Sequence, residues 1–215
     1  MRILYSTLAA VSLMFNACSS DQQSASQQTH SNDMVINDPH SFSKPAIARG
    51  THLNWDAKVD FNTQTISGSA TWTVEAAPDA KEIIFDTRGL TIHKVSADGK
   101  SVDYSLKDTV NGEPWMGQAL HIPISASTQQ VSVQYTTSAD AAALQWLKAE
   151  QTRDKQHPFL FTQSQAILAR TWLPCQDGPG MRFTFEAQVQ VPAGMLALMS
   201  AENPQQVSTD GKYQF

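Results

Sequence analysis

Two stretches of the chain alternate polar with apolar residues at a period of two, and this pattern restricts the fold more than any other feature. Residues 65–75 have the sequence TISGSATWTVE, and residues 182–191 have the sequence RFTFEAQVQV. Successive side chains of a β-strand point to opposite faces, so this alternation predicts strands with one buried and one solvated face. Shorter copies of the pattern occupy residues 102–106, 120–124 and 131–135. We therefore expect an all-β, mainly antiparallel, sandwich-like domain.

Turn-forming residues separate the predicted strands. The dipeptides DG at 98–99, NG at 111–112 and DG at 210–211 are typical of tight β-turns. Only residues 139–150 have helical character. Residues 207–215 resemble a hairpin whose return strand has barely begun, which predicts that the chain is the front part of a longer protein.

The N-terminus has the pattern of an export signal. Arg2 carries a positive charge, an apolar run continues to Phe15, and the small residue Ala17 precedes Cys18. Residues 1–17 are therefore predicted to be a lipoprotein signal peptide, with Cys18 as the acylated first residue of the mature protein. Since Phe15 stands where such signals usually have Leu, the alternative is an ordinary signal peptide that is cut nearby.

Residues 18–47 are rich in Ser, Gln, Asn and Asp and contain few large apolar residues. Such a composition cannot bury enough surface to offset the entropy of ordering, so we predict a flexible polar tether. Ser19 at the second mature position favours sorting to the outer membrane, whereas a protein without the lipid would be periplasmic. His30 and His40 lie in this stretch and are predicted to be solvated rather than bound to a metal.

Composition and motifs exclude several classes of function. The formal net charge is −5 and no basic stretch is present, so nucleic acid is not an expected partner. The sequence contains no H-E-x-x-H, no G-x-S-x-G, no phosphate loop and no dinucleotide-binding fingerprint. We therefore expect no catalytic residue and no metal ligand within this chain.

A few single residues remain as candidates for chemistry. A Cys175 nucleophile would need a base, and His157 is near in sequence, but the surrounding residues do not resemble a cysteine protease. With Cys18 acylated, Cys175 has no disulfide partner, and core packing is the predicted role. Asp60 and Asp86 could act as paired acids, but single carboxylates at strand ends usually cap turns.

Residues 161–180, FTQSQAILARTWLPCQDGPG, hold two closely spaced amides on a predicted strand. Residues two apart in a strand share a face, so Gln163 and Gln165 should project together while Ser164 points away. Two amides on one face can present hydrogen-bond donors and acceptors to the end of a peptide. The alternative is that both face solvent or satisfy nearby backbone groups.

Residues 143–201 resemble the N-terminal domain of the leukotriene A-4 hydrolase and aminopeptidase branch of the M1 family of zinc metallopeptidases. The combination of Q-x-Q-A with L-P-C-Q-D, within residues 163–177, is specific to this branch. Upstream, VDF at 59–61 and FDTRGLTI at 85–92 match the same domain in the same order. The resemblance covers residues 49–215.

The resemblance implies that residues 48–215 form a saddle-shaped β domain that precedes a zinc-binding catalytic domain. The zinc ion and the catalytic residues would belong to that downstream domain, so this chain alone is expected to be inactive. Gln165 matches the glutamine that touches substrate in the family. Gln163 and Ala166 lie beside it, on a wall that holds the free α-amino end of a peptide.

The expected function is therefore that of the N-terminal domain of an exported zinc-dependent aminopeptidase, which removes N-terminal residues from peptides. Its expected partners are a peptide substrate, the catalytic domain of the same polypeptide, and the membrane through the lipid anchor alone. Asp177 and residues 178–180 are predicted to be structural. The alternative, from another class, is a free-standing non-catalytic lipoprotein domain that binds peptides or surface polymers.

Overall fold

The computed structural model describes residues 38–108 and 113–215 of the chain. The predicted signal peptide, Cys18, His30 and the turn at 111–112 lie outside the described residues. The regular secondary structure of the described part is almost entirely β-strand.

The strands are β1 (Ala48–Asp60), β2 (Thr65–Ala76), β3 (Glu82–Thr87), β4 (Thr91–Ala97), β5 (Lys100–Ser101), β6 (Ser105–Asp108), β7 (Gln118–Pro123), β8 (Gln130–Thr136), β9 (Leu144–Leu147), β10 (Phe159–Thr162), β11 (Thr184–Gln190) and β12 (Lys212–Gln214). Two single-turn 3-10 helices span Ala149–Gln151 and Ala169–Thr171. Among the described residues, no helix has the length and apolar character needed to cross a membrane.

Seven strands form one large sheet in the order β12-β11-β1-β2-β8-β4-β5. β1 and β2 are joined by a tight turn, in which the Asp60 carboxylate accepts hydrogen bonds from the backbone N–H groups of Asn62 and Thr63 at 2.8 and 3.3 Å. Every neighbouring pair in this sheet is antiparallel except β1 and β11, which run parallel. The predicted all-β, mainly antiparallel class is confirmed.

Alternation along the longest strands decides which side chains enter the core. In β1, Leu53 and Trp55 are buried, while Asn54 and Asp56 between and after them are exposed. In β2, Trp72 is 2% exposed and belongs to the same core. Large aromatic side chains bury the most apolar area per residue, so these two tryptophans contribute strongly to the stability of the sheet.

A smaller sheet, in the order β3-β7-β6, covers this core and makes the fold sandwich-like. Phe85 of β3 is fully buried, and its ring centroid lies 5.7 Å from that of Trp72 in the large sheet. The predicted strand at 102–106 is shifted to Ser105–Asp108, because residues 102–104 connect β5 in the large sheet to β6 in the small one.

The predicted helix at 139–150 is wrong. β9 pairs antiparallel with β10 to form a separate two-stranded sheet, and only Ala149–Gln151 make a helical turn. Trp146 of β9 packs edge-on against Phe61 at the end of β1, with ring centroids 5.3 Å apart. This tertiary contact and the strand pairing outweigh a weak local helix preference.

The hairpin predicted at 207–215 is also wrong, because the return strand has a different partner. β12 pairs antiparallel with β11, with Tyr213 opposite Val189. Tyr213 is buried, and its hydroxyl accepts a hydrogen bond from the Ser208 N–H and donates one to the Met195 carbonyl oxygen, both at 2.7 Å. Burial of this ring explains why β12 joins the edge of the large sheet.

Residues 38–43, which we call the N-terminal arm, contact the β domain although they belong to the predicted tether. The Ser41 hydroxyl and the Phe42 N–H donate hydrogen bonds to the Asp86 carboxylate at 2.6 and 2.7 Å. The His40 carbonyl oxygen accepts one from Arg170 Nη2 at 2.7 Å. Contacts between the domain and the chain before it therefore begin upstream of β1.

Candidate functional site

The two glutamines of the Q-x-Q-A segment follow a strand rather than belonging to it. β10 ends at Thr162, earlier than the sequence pattern predicts. The chain turns there because the N–H of Leu168 donates a hydrogen bond to the Ser164 carbonyl oxygen at 2.9 Å. We call residues 163–168 the glutamine turn. It leads directly into the 3-10 helix at Ala169–Thr171.

The side chains of the two glutamines are both exposed but differ in their hydrogen bonding. Gln163 Oε1 accepts a hydrogen bond from the backbone N–H of Gln165 at 3.1 Å, so Gln163 helps to shape the turn. The Gln165 amide makes no hydrogen bond to any residue in 38–108 or 113–215. Ala166 is exposed beside it, after a cis peptide bond. Gln165 therefore has an amide oxygen and an amide NH2 available to a ligand.

Ser164 points inward and connects the glutamine turn to an aromatic layer. Its hydroxyl oxygen accepts a hydrogen bond from Trp172 Nε1 at 3.0 Å. Trp172 packs edge-on against Trp55 of β1, with ring centroids 5.2 Å apart. Trp55 Nε1 in turn donates to the buried Tyr135 hydroxyl at 2.9 Å. The outward direction of the glutamines is thus supported by packing that extends into the large sheet.

The L-P-C-Q-D segment contributes to the frame behind the turn. The Pro174 carbonyl oxygen accepts a hydrogen bond from Trp72 Nε1 at 3.0 Å, and the Cys175 carbonyl oxygen accepts one from the Asp86 N–H at 2.7 Å. Burial, reinforced by nearby carboxylates, raises the pKa of the Cys175 thiol well above its usual range. A buried thiol held in its protonated form is a poor nucleophile, which supports the packing role.

Gln176 fastens this segment to the beginning of β1. The side chain is 5% exposed. Its Oε1 accepts a hydrogen bond from the Gly50 N–H at 3.0 Å, and its Nε2 donates one to the Ala48 carbonyl oxygen at 2.9 Å. A single amide thereby satisfies both a backbone donor and a backbone acceptor that are buried at this edge.

The two aspartates considered as candidate acids have different structural roles. Asp60 caps the β1–β2 turn, and hydrogen bonds from the Asn62 and Thr63 backbone lower its pKa. Asp86 does not cap a turn, because most of β3 is buried and the carboxylate lies inside the protein. Burial raises the pKa of Asp86, and the charge of Arg170 opposes that shift.

Arg170 is the residue of this region that the sequence motifs missed. Its side chain is fully buried, and Nε lies 3.0 Å from Asp177 Oδ2. Asp177 therefore has the structural role expected of it. The only local signal of a buried arginine is its position in the run I-L-A-R-T-W-L, where it is the single charge among mainly apolar residues.

Two surface cavities of the described residues lie away from the glutamine turn. One of about 530 Å³ lies on the solvent-exposed face of the large sheet and is lined by polar residues that include Asp56 and Glu186. Another of about 570 Å³ adjoins the loop before β10 and includes Asp154 and His157. The glutamine turn lines neither of these cavities, and its two glutamines and Ala166 are exposed.

No metal site is formed by the residues that the structure describes. In 38–108 and 113–215, no three His, Cys, Asp or Glu side chains come together in a way that could hold a metal ion. His40 is exposed and lies within hydrogen-bond distance of Asp38, at 3.1 Å between Nδ1 and Oδ1. These residues do not fit a zinc site.

Residues 49–214 match the model of the Peptidase M1 N-terminal domain family. The chain belongs to this family. Leukotriene A-4 hydrolase from Xenopus laevis is 40% identical over 170 residues, which cover 76% of this chain and 27% of that protein. Leucine aminopeptidase 2 from Yarrowia lipolytica is 33% identical over 156 residues, covering 71% and 24%. This M1 N-terminal domain chain thus spans about a quarter of the length of the curated relatives it matches.

Solved structures show the same M1 N-terminal fold. Leukotriene A4 hydrolase from Saccharomyces cerevisiae superposes with a TM-score of 0.69 at 26% identity, over 83% of this chain and 28% of that chain. An M1 zinc metallopeptidase from Deinococcus radiodurans, bound to a Tyr-Ser-Ala substrate, superposes with a TM-score of 0.56 at 19% identity, over 78% and 38%. The second similarity concerns the fold alone. The family predicted from Q-x-Q-A and L-P-C-Q-D is confirmed.

Proposed function

We propose that this chain is the N-terminal part of an exported aminopeptidase, in which Gln165 binds the free α-amino group of a peptide substrate. Membership of the M1 N-terminal domain family supports this proposal, as does the similarity to proteins named leucine aminopeptidase 2. The complete enzyme would then consist of this β domain and a peptidase domain of the same polypeptide.

One observation carries the proposal for the site. The side-chain amide of Gln165 is exposed and makes no hydrogen bond within the described residues. The backbone N–H of Gln165 is held in place by Gln163 Oε1. An α-ammonium group is a hydrogen-bond donor, and the Gln165 amide oxygen is a suitable acceptor. Because the amide is neutral, it contributes a hydrogen bond to a charged group, worth about 1.5–3 kcal/mol, rather than an ion pair.

Gln163 and Ala166 have supporting roles in this proposal. The Gln163 amide oxygen accepts a hydrogen bond from the Gln165 N–H and so stabilises one shape of the turn. Ala166 has a small exposed side chain, which leaves space for the substrate beside the Gln165 amide. Both residues therefore belong to the proposed wall, but only Gln165 is expected to accept a hydrogen bond from the substrate.

Zinc is proposed for the complete enzyme and not for this chain. A metallopeptidase zinc ion polarises the scissile carbonyl and activates water. The described residues do not fit such a site, so the part of this domain in the reaction is to bind and orient the amino end of the peptide. This chain alone is expected not to hydrolyse peptides.

Export and membrane anchoring are proposed from the leader. Acylation of Cys18 would hold the enzyme at the outer membrane, and an unacylated protein would be periplasmic. Replacing Cys18 with Ser tests the anchor directly. Metabolic labelling with a clickable fatty acid should mark the wild-type protein in membrane extracts and leave Cys18→Ser unlabelled. Equal labelling of the two proteins would exclude Cys18 as the lipid site.

The substrate-binding role of Gln165 can be tested by kinetics of the complete enzyme on a leucyl anilide. Gln165→Ala should lower kcat/KM by about 10- to 100-fold, mainly by raising KM, because a hydrogen bond to a charged group is lost. Gln188→Ala is the matched control, since Gln188 is exposed on β11 and lines the cavity on the large sheet. Indistinguishable kinetics for the two variants would remove Gln165 from the site.

A further inference from the structure

The guanidinium group of Arg170 lies at a junction of three chain segments. Nε donates a hydrogen bond to Asp177 Oδ2 at 3.0 Å, and Nη2 donates to the Asp177 carbonyl oxygen at 3.0 Å. Nη1 donates to the Met116 carbonyl oxygen at 2.9 Å, and Nη2 also donates to that of His40 at 2.7 Å. Burying a guanidinium is costly unless its N–H groups meet acceptors, and here Nε and both terminal nitrogens do.

A second carboxylate completes this arrangement, which we call the arginine clamp (Arg170, Asp86 and Asp177). Asp86 Oδ2 lies 3.9 Å from Arg170 Nη2 and accepts hydrogen bonds from the Asp177 N–H and the Ser41 hydroxyl. Asp86 Oδ1 accepts one from the Phe42 N–H. The clamp thereby connects β3 and the N-terminal arm to the chain that follows the glutamine turn.

The clamp is joined to the glutamine turn through the backbone. Arg170 lies two residues after Leu168, the residue whose N–H closes the turn. The Arg170 N–H donates to Asp177 Oδ2 at 3.1 Å, and its carbonyl oxygen accepts a hydrogen bond from the Arg88 N–H at 2.8 Å. The Thr171 hydroxyl donates to the Leu168 carbonyl oxygen at 2.7 Å. The exit of the turn is therefore fixed on both sides.

We propose that Arg170 is a positioning residue for substrate binding, which acts through the glutamine turn by fixing the backbone from which the Gln165 side chain extends. This inference rests on the proposed function of Gln165. Arg170 itself is fully buried and does not touch the wall. Lysine cannot reproduce the role, because one ammonium group cannot place donors on Asp177, Met116 and His40 in the geometry of a planar fork.

The test is a double-mutant cycle in the complete enzyme. Arg170→Lys should raise KM for a leucyl anilide about tenfold and change kcat by less than about twofold, because the binding group is displaced rather than removed. If Arg170 acts through Gln165, the variant that combines Arg170→Lys with Gln165→Ala should have the KM of Gln165→Ala alone. KM effects that multiply in the double variant would overturn the inference.

A second variant that loses buried hydrogen bonds distinguishes a positioning role of Arg170 from a merely structural one. Tyr213→Phe removes a buried hydroxyl that makes two hydrogen bonds, to the Ser208 N–H and the Met195 carbonyl oxygen, and neither joins the glutamine turn. This control should lower stability and leave KM unchanged. If Arg170→Lys behaves in the same way, Arg170 has no positioning role. If Gln165→Ala leaves KM unchanged, the proposed function itself fails, and the two failures are thus separable.

A milder variant tests the role of the arginine clamp if Arg170→Lys does not fold. Ser41→Ala removes one hydrogen bond to Asp86 and leaves the guanidinium in place. Loss of a single hydrogen bond of this kind should loosen the clamp and raise KM about threefold. A KM equal to that of the wild type, in a variant of normal stability, would contradict the role of the clamp.

Discussion

Replacing Gln176 with Met removes the two hydrogen bonds that hold the L-P-C-Q-D segment against β1. The Gly50 N–H loses its acceptor at 3.0 Å, and the Ala48 carbonyl oxygen loses its donor at 2.9 Å. Methionine has a similar length and volume, so the change creates little cavity and isolates the hydrogen bonds.

The expected loss follows from the burial of these partners. A buried donor or acceptor that is left unsatisfied costs about 1–3 kcal/mol, and the variant leaves two such groups, the Gly50 N–H and the Ala48 carbonyl oxygen, without their partner. Burying an apolar side chain in place of a polar amide offsets part of this loss in unfolding free energy. The free energy of unfolding should therefore fall by about 2–4 kcal/mol.

Urea denaturation of the 215-residue chain, followed by tryptophan fluorescence, measures this loss. The control is Gln188→Met at an exposed position of β11, where we expect a change within about 0.5 kcal/mol. If Gln176→Met is no less stable than this control, the amide does not fasten β1 and the structural role of the motif is refuted.

Three further perturbations test the interior. Because burial raises the pKa of Asp86 above its usual value of 3.8, the folded state holds this proton more tightly than the unfolded state. The difference in unfolding free energy between the wild type and Asp86→Asn should therefore fall as the pH rises from 3.8 through the folded-state pKa. Denaturation curves in which this difference rises over that pH range would contradict the prediction. In Cys18→Ser, Cys175 should resist a thiol reagent at neutral pH until the protein is unfolded in urea, and fast labelling of this native variant would refute the burial of Cys175. In Gly68→Ala the new Cβ would clash with the Asp56 carbonyl oxygen, so calorimetry should show an unfolding free energy lower by about 3 kcal/mol, and an unchanged Tm would contradict that clash.

Three strands of the large sheet could be predicted, because their polar and apolar residues alternate and one face is buried. β2, β8 and β11 lie close to the predicted residues for that reason. The helix predicted at 139–150 and the hairpin at 207–215 were wrong, because a long-range contact decides each of them. Trp146 packs against Phe61, which is distant in sequence, and the buried Tyr213 lies opposite Val189 of β11. Neither partner is visible in a local pattern.

The candidate site was predictable only in part. The proposal for Gln165 comes from the resemblance and stays a prediction. The period-two pattern could not show that β10 ends at Thr162, before Gln165, where the Leu168 N–H bonds to the Ser164 carbonyl oxygen. Arg170 escaped notice because its acceptors come from residues 40, 116 and 177, and only the folded chain brings these together. A motif can mark a functional residue, whereas the groups that orient it depend on the tertiary structure.

The role of Gln165 is tested most directly with two inhibitors of the complete enzyme, a substrate analogue with a free α-amino group and the same analogue without it. If the Gln165 amide oxygen binds that amine, Gln165→Ala should weaken the amino inhibitor by about tenfold or more and leave the inhibition constant of the other unchanged. If Gln165→Ala weakens both inhibitors equally, or neither of them, Gln165 does not recognise the amino end of the peptide.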